Sequence, residues 1–128
     1  MSPLDISYTN LYTRTEIQGM VGGELQTYLP QKNKCILAGC FSLELNPCAP
    51  NIIQVGKLPQ VKAKAELLAR QPENRFPVFV RESDQHLYSF QGYFKFRSIT
   101  DNRSEIEVAE RKSGRLGELS YVIYLQPD

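Results

Sequence analysis

The chain has 128 residues, of which 41% are hydrophobic and 23% charged, and fifteen basic residues against fourteen acidic ones give a formal net charge of +1. This composition excludes disorder over most of the length, and the length favours one domain over residues 1–128, because two separate cores would each be marginal. A charge so close to zero predicts no global attraction to nucleic acid, so any basic surface must come from local clustering.

The sequence shows no sign of export or membrane insertion. No apolar run approaches the roughly 18 residues that span a bilayer. The first ten residues have neither the basic region nor the apolar stretch of a signal peptide. The cysteines, Cys35, Cys40 and Cys48, are odd in number, which argues against a paired disulfide framework. We therefore expect reduced thiols and a cytoplasmic protein.

The first predicted helix follows an N-terminal arm, residues 1–10. Thr13 and Glu16 have the spacing of a capping box, in which each side chain bonds to the other residue's backbone amide. Apolar residues then recur at helical spacing. Gly22–Gly23 is expected to end this helix after two to three turns.

The next segment is predicted to be irregular. A loop covers residues 24–33, and an apolar strand covers residues 35–43, in which Gly39 indicates a bulge or a close backbone approach. Two residue–proline pairs between Asn46 and Pro50 exclude a helix there. A short strand is expected at residues 52–55.

The second half of the chain has the most regular patterns. A helix is predicted from Pro59 to Arg70, with proline at its first turn. Residues 76–81 and the aromatic-rich residues 87–99 predict a β-hairpin. Residues 119–125 predict a last strand, and residues 126–128 a tail. These elements together predict an α+β fold.

Residues 102–113 fit two interpretations. Ser104 is placed to cap a helix that ends at Gly114, whereas Ile106 and Val108 alternate as in a strand. We favour the helix because the segment is charged and ends in Lys-Ser-Gly, a usual helix exit.

Catalytic patterns are weak in this sequence. The single histidine, His86, lies at a predicted turn without an evident partner to orient it as a base. Glu110-Arg111-Lys112 gives one E-x-K triplet, but a solvated helix face explains it better than a nuclease site, which needs several converging carboxylates. We therefore expect no catalytic residue and keep a metal-dependent nuclease only as a third hypothesis.

A zinc site is also not expected. Cys35, Cys40, Cys48 and His86 would supply four ligands, but the cysteine spacings of five and eight lack the close C-x-x-C pairs of structural zinc sites. Buried free thiols are the better interpretation. No metal and no cofactor is predicted.

Residues suited to ligand binding are better represented than catalytic or metal-binding patterns. Tyr88, Phe90, Tyr93, Phe94 and Phe96 fall within nine residues of one predicted strand. Strict alternation places Tyr93, Lys95 and Arg97 on one face and the other aromatic residues on the core face, with Arg81 joining from the neighbouring strand. Surfaces that mix cations and aromatic rings suit phosphates and bases.

Four further candidate binding positions lie in or beside predicted loops. Gln26 and Tyr28 supply donors and acceptors after the Gly22–Gly23 pair. Asn46 opens the rigid proline-containing turn, and loops of this kind often line pockets. Lys57 precedes the Pro59 helix, where it would neutralise an anion near the helix N-terminus.

The hairpin carries a family resemblance. Tyr88-Ser-Phe-Gln-Gly-Tyr-Phe-Lys-Phe, following Phe76-Pro-Val-Phe-Val-Arg, resembles the hairpin of SRA/YDG-type domains and their PUA-like relatives. The run from Tyr12 to Leu125 also looks like small bacterial domains joined to nucleases. The resemblance implies a strongly curved mixed sheet or partial β-barrel flanked by two or three helices. SRA-type domains hold a flipped, modified base between aromatic rings. Gln91 stands where their motif has an acidic residue.

Two functions follow from these observations. The first is a nucleic-acid-recognition module that reads a modified or flipped base, in a bacterial restriction or defence context with a separate nuclease subunit. Tyr28 and Phe41 would stack on the base, and Arg81, Lys95 and Arg97 would contact phosphates. The alternative is a sensor of a small nucleotide or another anion, or a protein-docking domain.

Overall fold

The structure, a computed structural model, describes residues 6–128. Within this range the chain forms three helices and eight strands: β1 (Leu11–Tyr12), α1 (Arg14–Val21), β2 (Gln31–Lys32), β3 (Cys35–Ile36), β4 (Gly39–Ser42), β5 (Ile52–Gly56), α2 (Pro59–Ala69), β6 (Phe76–Arg81), β7 (Tyr88–Thr100), α3 (Arg103–Ser113) and β8 (Leu119–Pro127). The predicted α+β class is confirmed.

The main sheet is mixed and mostly antiparallel. Its strand order is β4-β6-β7-β8-β5, and β1 pairs with the start of β7. Only β4 and β6 run parallel among the described pairs of this sheet. The outer strands β4 and β5 do not pair with each other, so the sheet is open and does not close into a barrel.

The two sheet edges are nevertheless bridged by the connection between them. Four strand spacings would separate β4 from β5 by about 19 Å in a flat sheet. In the 43–51 connection, the Asn46 amide donates to the Ser42 carbonyl of β4 at 2.9 Å, and the Asn46 side chain accepts from the Gln54 amide of β5 at 2.7 Å. One residue thus bonds to both edges of the sheet, through its backbone amide on one side and its side chain on the other.

The helix boundaries follow largely from local sequence signals. The α1 capping box is confirmed, with Glu16 N–H donating to Thr13 Oγ1 at 3.1 Å and Thr13 N–H to Glu16 Oε1 at 2.8 Å. The helix interpretation of residues 102–113 is also confirmed, and Gly114 ends it in the left-handed conformation. Its cap is Asn102, which accepts from the Glu105 amide, so the expectation of a Ser104 cap is wrong.

The predicted strand over residues 35–43 is divided in two. Asn33 and Lys34 both have positive φ, 53° and 65°, and turn the chain so that β3 pairs back on β2 as a separate hairpin. The missed signal is an Asn-Lys turn, in which lysine occupies a position that usually favours glycine. Only β4, from Gly39 onward, joins the main sheet.

The predicted alternation along β7 is interrupted at Gly92. Its φ of +103° accompanies a bulge opposite Val78 and Phe79 that leaves Gln91 without a partner in the β6–β7 register. Phe90 and Tyr93 consequently share one face, with ring centroids 5.6 Å apart, while Phe94 packs on the other. The expected separation of Tyr93 from all the other rings is therefore wrong.

Both faces of the sheet are covered. Helix α2 packs on one face over the largest cluster, which includes Phe41, Phe76 and Phe94. Helix α1 covers Phe79 and Phe90 on the opposite face, and α3 covers the β8 end of that face. No helix among residues 6–128 is both long and apolar enough to cross a membrane.

Both predicted terminal segments contact the rest of the fold where the structure describes them. Residues 1–5 of the expected N-terminal arm lie outside the described range, whereas Tyr8 stacks against Phe90 with ring centroids 4.7 Å apart. At the other end β8 continues to Pro127, and the Asp128 carboxylate pairs with Arg75 at 3.0 Å and Lys95 at 3.6 Å. The expected tail over residues 126–128 is therefore an extension of the sheet.

Candidate functional site

A cavity of about 330 Å³ opens at the carboxyl ends of the parallel strands β4 and β6. Ser42 and Arg81 are register partners at these ends, and Tyr88 begins the next strand. Arg14, the first residue of α1, completes this side. We call this the arginine cavity; its lining residues are Arg14, Leu25, Gln26, Thr27, Tyr28, Cys40, Ser42, Leu45, Asn46, Arg81 and Tyr88.

Arg14 is only partly satisfied by the protein. Its Nη2 donates to the carbonyl oxygens of Glu24 at 2.7 Å and Thr27 at 3.3 Å. Its Nη1 is buried and has no hydrogen-bond partner among residues 6–128. Buried donors are nearly always paired, and a charged one is costly to leave unpaired. Arg14, a lining residue of the cavity, thus has one buried donor without an acceptor.

Arg81 adds a second guanidinium. Its Nη1 donates to the Gln85 carbonyl at 3.2 Å, which ties the side chain to the 82–87 turn. Within residues 6–128 neither Arg14 nor Arg81 forms a salt bridge. Both arginines and Tyr88 also border an outer recess of about 520 Å³ that contains Asp84 and His86. The two guanidinium groups therefore lie where the cavity meets the surface.

The loop that Arg14 contacts forms another part of the cavity wall, and it is fixed by glycine geometry and by one ion pair. At Gly23, with φ of +77°, an added Cβ would lie 2.9 Å from Pro30 Cβ, so the loop closes only with glycine. Glu24 accepts from the Gln31 amide at 2.8 Å and pairs with Lys64 of α2. Partial burial opposes ionisation of Glu24, but these contacts outweigh it and lower its pKa to about 2.

Tyr28 is held by a structural hydrogen bond. Its hydroxyl donates to the Val61 carbonyl of α2 at 2.7 Å, and burial raises the pKa of Tyr28 above its usual value. Phe41 packs beside it with ring centroids 6.4 Å apart and is 1% exposed. The expectation that Phe41 stacks on a ligand is therefore wrong, because its ring belongs to the core. Tyr28, the other residue expected to stack, does line the cavity.

Asn46 has a defined orientation although it lies in a connection. The side chain is 5% exposed, and its Oδ1 accepts from the Gln54 amide at 2.7 Å. That bond identifies the accepting atom as oxygen, so the Nδ2 group lies at the other end of the amide. Among residues 6–128 the Nδ2 group has no protein hydrogen-bond partner within range. Asn46 thus supplies a second donor that the protein leaves free.

A larger neighbouring cavity of about 610 Å³ shares Tyr28, Leu45 and Asn46 with the arginine cavity. Lys57 lies there, at the start of α2, together with Arg115. The structure therefore places Lys57 next to the arginine cavity and not inside it. Arg115 is tied to the Leu45 carbonyl at 3.3 Å and faces Glu118 at 3.7 Å, so this second cation is largely compensated.

Three predicted site residues lie elsewhere on β7. The Arg75 guanidinium stacks 3.9 Å from the centre of the Tyr93 ring, Lys95 pairs with Asp128, and Arg97 lies over Tyr124 at 5.2 Å. None of the three lines the arginine cavity. The structure therefore gathers Gln26, Tyr28, Asn46, Arg81 and Tyr88 from the predicted set, and adds Arg14, Thr27, Cys40 and Ser42.

Sequence reasoning missed Arg14 and Ser42 for different reasons. Arg14 lies inside a capping-box pattern that already explains its neighbourhood. Ser42 ends a strand that was predicted to continue. Only the parallel pairing of β4 with β6 brings Ser42 beside Arg81, and no local pattern encodes that pairing.

The E-x-K triplet has a structural role. Glu110 is 1% exposed, accepts from the Leu119 amide at 3.2 Å and pairs with Arg103 at 2.7 Å. Its interpretation as part of a solvated helix face is wrong, because α3 turns this position towards β8 and the 114–118 loop. No three His, Cys, Asp or Glu side chains among residues 6–128 cluster closely enough to hold a metal ion.

The thiols are expected to differ sharply in reactivity. Cys35 is exposed, whereas burial raises the pKa of Cys40 to about 11 against the opposing charge of Arg14. At pH 8 only about 0.1% of Cys40 would be thiolate. With iodoacetamide at pH 8, followed by peptide mass spectrometry, Cys35 should be labelled long before Cys40. Denatured protein, labelled at all three cysteines, is the control; equal rates in the native protein would contradict the burial of Cys40.

The arginine cavity is equipped for binding. It presents two arginines, a buried amide and aromatic residues, and none of its described lining residues carries a carboxylate. Comparison of the chain with models of protein families, with curated proteins and with solved structures found no match in any of the three.

Proposed function

We propose that the chain is a nucleic-acid-recognition module that receives one nucleotide, turned out of its stack, in the arginine cavity. Arg14 carries this proposal, because a guanidinium group that lines the cavity and has one buried nitrogen without a partner favours a ligand that supplies an acceptor. The base enters the cavity, and its backbone phosphate lies at the rim between Arg14 and Arg81.

The size and lining of the cavity support a base as the occupant. A volume of about 330 Å³ lies at the small end of the range of ligand pockets. Tyr88 is half-buried at the rim, where it lines both the cavity and the outer recess. Aromatic residues at such positions stack on extruded bases in proteins that read single nucleotides.

The resemblance of the hairpin to SRA/YDG-type and PUA-like domains supports the same function. The strands concerned are β6 and β7, and they supply Arg81 and Tyr88 to the cavity. We extend the proposal to a PUA-like curvature of the sheet and to a bacterial defence setting, in which a separate nuclease subunit would act on the bound site.

Two matched arginine variants test the proposal. Arg81→Gln should weaken binding to short DNA about tenfold or more, since a hydrogen bond to a charged group contributes roughly 1.5–3 kcal/mol. Arg97→Gln removes the same charge from an exposed position outside the cavity and should weaken binding less than about threefold. Fluorescence anisotropy at low salt, with plain, methylated and hydroxymethylated strands and mismatched duplexes, measures both.

Two results would overturn the proposal. One is the absence of binding to every one of these nucleic acids at tens of micromolar protein. The other is equal weakening by Arg81→Gln and Arg97→Gln, which would indicate diffuse electrostatic attraction without a site.

A sensor of a free mononucleotide is the second candidate, and the net charge of +1 favours it because tight duplex binding draws on phosphate neutralisation. Thermal unfolding separates the two functions. A mononucleotide at 100 times its dissociation constant stabilises the fold by about 2.7 kcal/mol. Stabilisation by mononucleotides without any binding to DNA would establish the sensor.

A further inference from the structure

The larger cavity beside the arginine cavity differs from it in chemistry. Its volume of about 610 Å³ lies within the range of small-molecule pockets, and its lining is mostly apolar. We call it the apolar cavity. Although the two cavities share three lining residues, neither Arg14 nor Arg81 lines the apolar one. A ligand of the apolar cavity therefore meets a different set of side chains.

Two of these side chains are exposed leucines. Leu45 is 48% exposed and Leu58 is 61% exposed, and Val61 of α2 adds a further apolar side chain. Leu58 is the N-cap residue of α2, a position where serine, threonine, asparagine or aspartate would accept a hydrogen bond from the helix, and it forms no such bond. An apolar ligand that packs on Leu58 would account for an exposed leucine at a position that normally stabilises a helix through a polar side chain.

The charged groups of the apolar cavity are two cations and one anion. Arg115 Nη1 donates to the Leu45 carbonyl at 3.3 Å, and an added Cβ at Gly56 would lie 3.4 Å from its Nη2. Its Nε faces Glu118 at 3.7 Å, whereas Nη2 is not buried and has no hydrogen-bond partner among residues 6–128. Lys57 forms no salt bridge within the same range. Since Arg115 and Glu118 compensate each other, Lys57 leaves one positive charge without a counterion.

We infer that the apolar cavity binds a small molecule with an apolar body and one carboxylate. The body packs on Leu58 and Val61, and the carboxylate accepts from Arg115 Nη2 and balances the charge of Lys57. These two cations lie close together, because Nη2 lies against Gly56 and Lys57 is the next residue. The inference goes beyond the proposed function and does not depend on it.

Isothermal titration calorimetry with the whole chain tests the class of ligand. Octanoate should bind, and decanoate should bind about fourfold more tightly for each added methylene, since burying one methylene contributes about 0.8 kcal/mol. Octanol and decanol lack the charge and should bind at least about tenfold more weakly than the matching carboxylates. Naphthoate, measured in parallel, distinguishes a flat aromatic body from a flexible chain, and both carry the inferred chemistry.

Leu58→Ser is the decisive variant because stability and binding should change in opposite directions. The serine supplies the missing cap, so the free protein should melt at a higher temperature. Decanoate should bind about fivefold more weakly or worse, because the leucine contact is lost. Leu87→Ser makes the same change at another exposed leucine, outside the cavity, and should leave decanoate binding unchanged.

A second pair of variants tests the charge. Lys57→Gln removes the unbalanced cation and should weaken decanoate binding about threefold, the usual scale for an exposed ion pair, while decanol binding stays the same. Lys32→Gln removes an exposed lysine outside the cavity and is the matched control.

Four results would overturn the inference. They are no binding of decanoate at millimolar concentration, equal affinity for decanoate and decanol, and a Leu58→Ser protein that melts at a lower temperature and binds decanoate as before. The fourth is tighter binding of adenosine monophosphate than of decanoate, weakened by Leu58→Ser, which would assign the cavity to nucleotides. None of these results depends on DNA binding, so the inference and the proposed function fail separately.

Discussion

Replacing Phe41 by alanine is expected to lower the free energy of unfolding by about 3–5 kcal/mol, the usual cost of removing a fully buried phenylalanine ring. Phe41 is 1% exposed and belongs to the cluster that joins β4 to α2 and β5. A loss of this size is a large fraction of the 5–15 kcal/mol that stabilises a typical domain. Urea unfolding measures it directly.

The same substitution distinguishes a core residue from a ligand contact. Phe41→Leu keeps most of the apolar volume and should cost markedly less than Phe41→Ala. If Phe41 instead stacked on a ligand, alanine would weaken binding while changing the unfolding free energy by less than about 1 kcal/mol. That pattern would contradict the packing described for β4.

Replacing Glu110 by glutamine should lower the melting temperature by about 5 °C or more, because one of the buried oxygens that accept from Arg103 and from the Leu119 amide becomes a donor that faces a donor. Burial opposes ionisation of Glu110, but the amides of Gly117 and Leu119 and the Arg103 charge outweigh it and lower its pKa. Glu107→Gln is the matched control, since Glu107 pairs with the same arginine at 3.4 Å on an exposed surface and should change little.

The pH dependence of this effect has a defined sign. A carboxyl whose pKa is lower in the folded state stabilises the fold above its unfolded pKa of about 4.3, and this contribution is lost as the pH falls through the folded pKa. The difference between wild type and Glu110→Gln should therefore be full near pH 7 and shrink below about pH 4. Thermal melts across this range measure it, and a difference that grew on acidification would refute the role of the charge.

Elements with strong local signals were predictable from the sequence. These signals are local in the sequence. They are the α1 capping box, the proline at the start of α2, and the apolar runs of β5, β6 and β8. The features that the sequence predicted wrongly depend on the backbone conformation of single residues. Positive φ at Asn33 and Lys34 turns β3 back onto β2 and away from the main sheet, and the bulge at Gly92 exchanges the faces of β7.

The candidate site was predictable only in part, because it is assembled across the sheet. Gln26, Tyr28 and Asn46 were found from loop chemistry, and Arg81 and Tyr88 from the hairpin. Arg14 was not found, since its proximity to Arg81 follows from tertiary packing between residues far apart in sequence. Lys95 and Arg97 share the pattern that identified Arg81, but the sheet places them at the other end of β7.

Each edge strand of the sheet, β4 and β5, forms a hydrogen bond with a loop residue of the same chain. The amide of Cys40 in β4 donates to the Tyr28 carbonyl, and the amide of Gln54 in β5 donates to Asn46. Free strand edges are templates for pairing with other chains, and proteins commonly shield them. Tyr28 and Asn46 are also walls of the arginine cavity. The two residues that bond to the sheet edges thus also line the cavity, so we expect that a ligand bound there would hold both edges in place and reduce self-association.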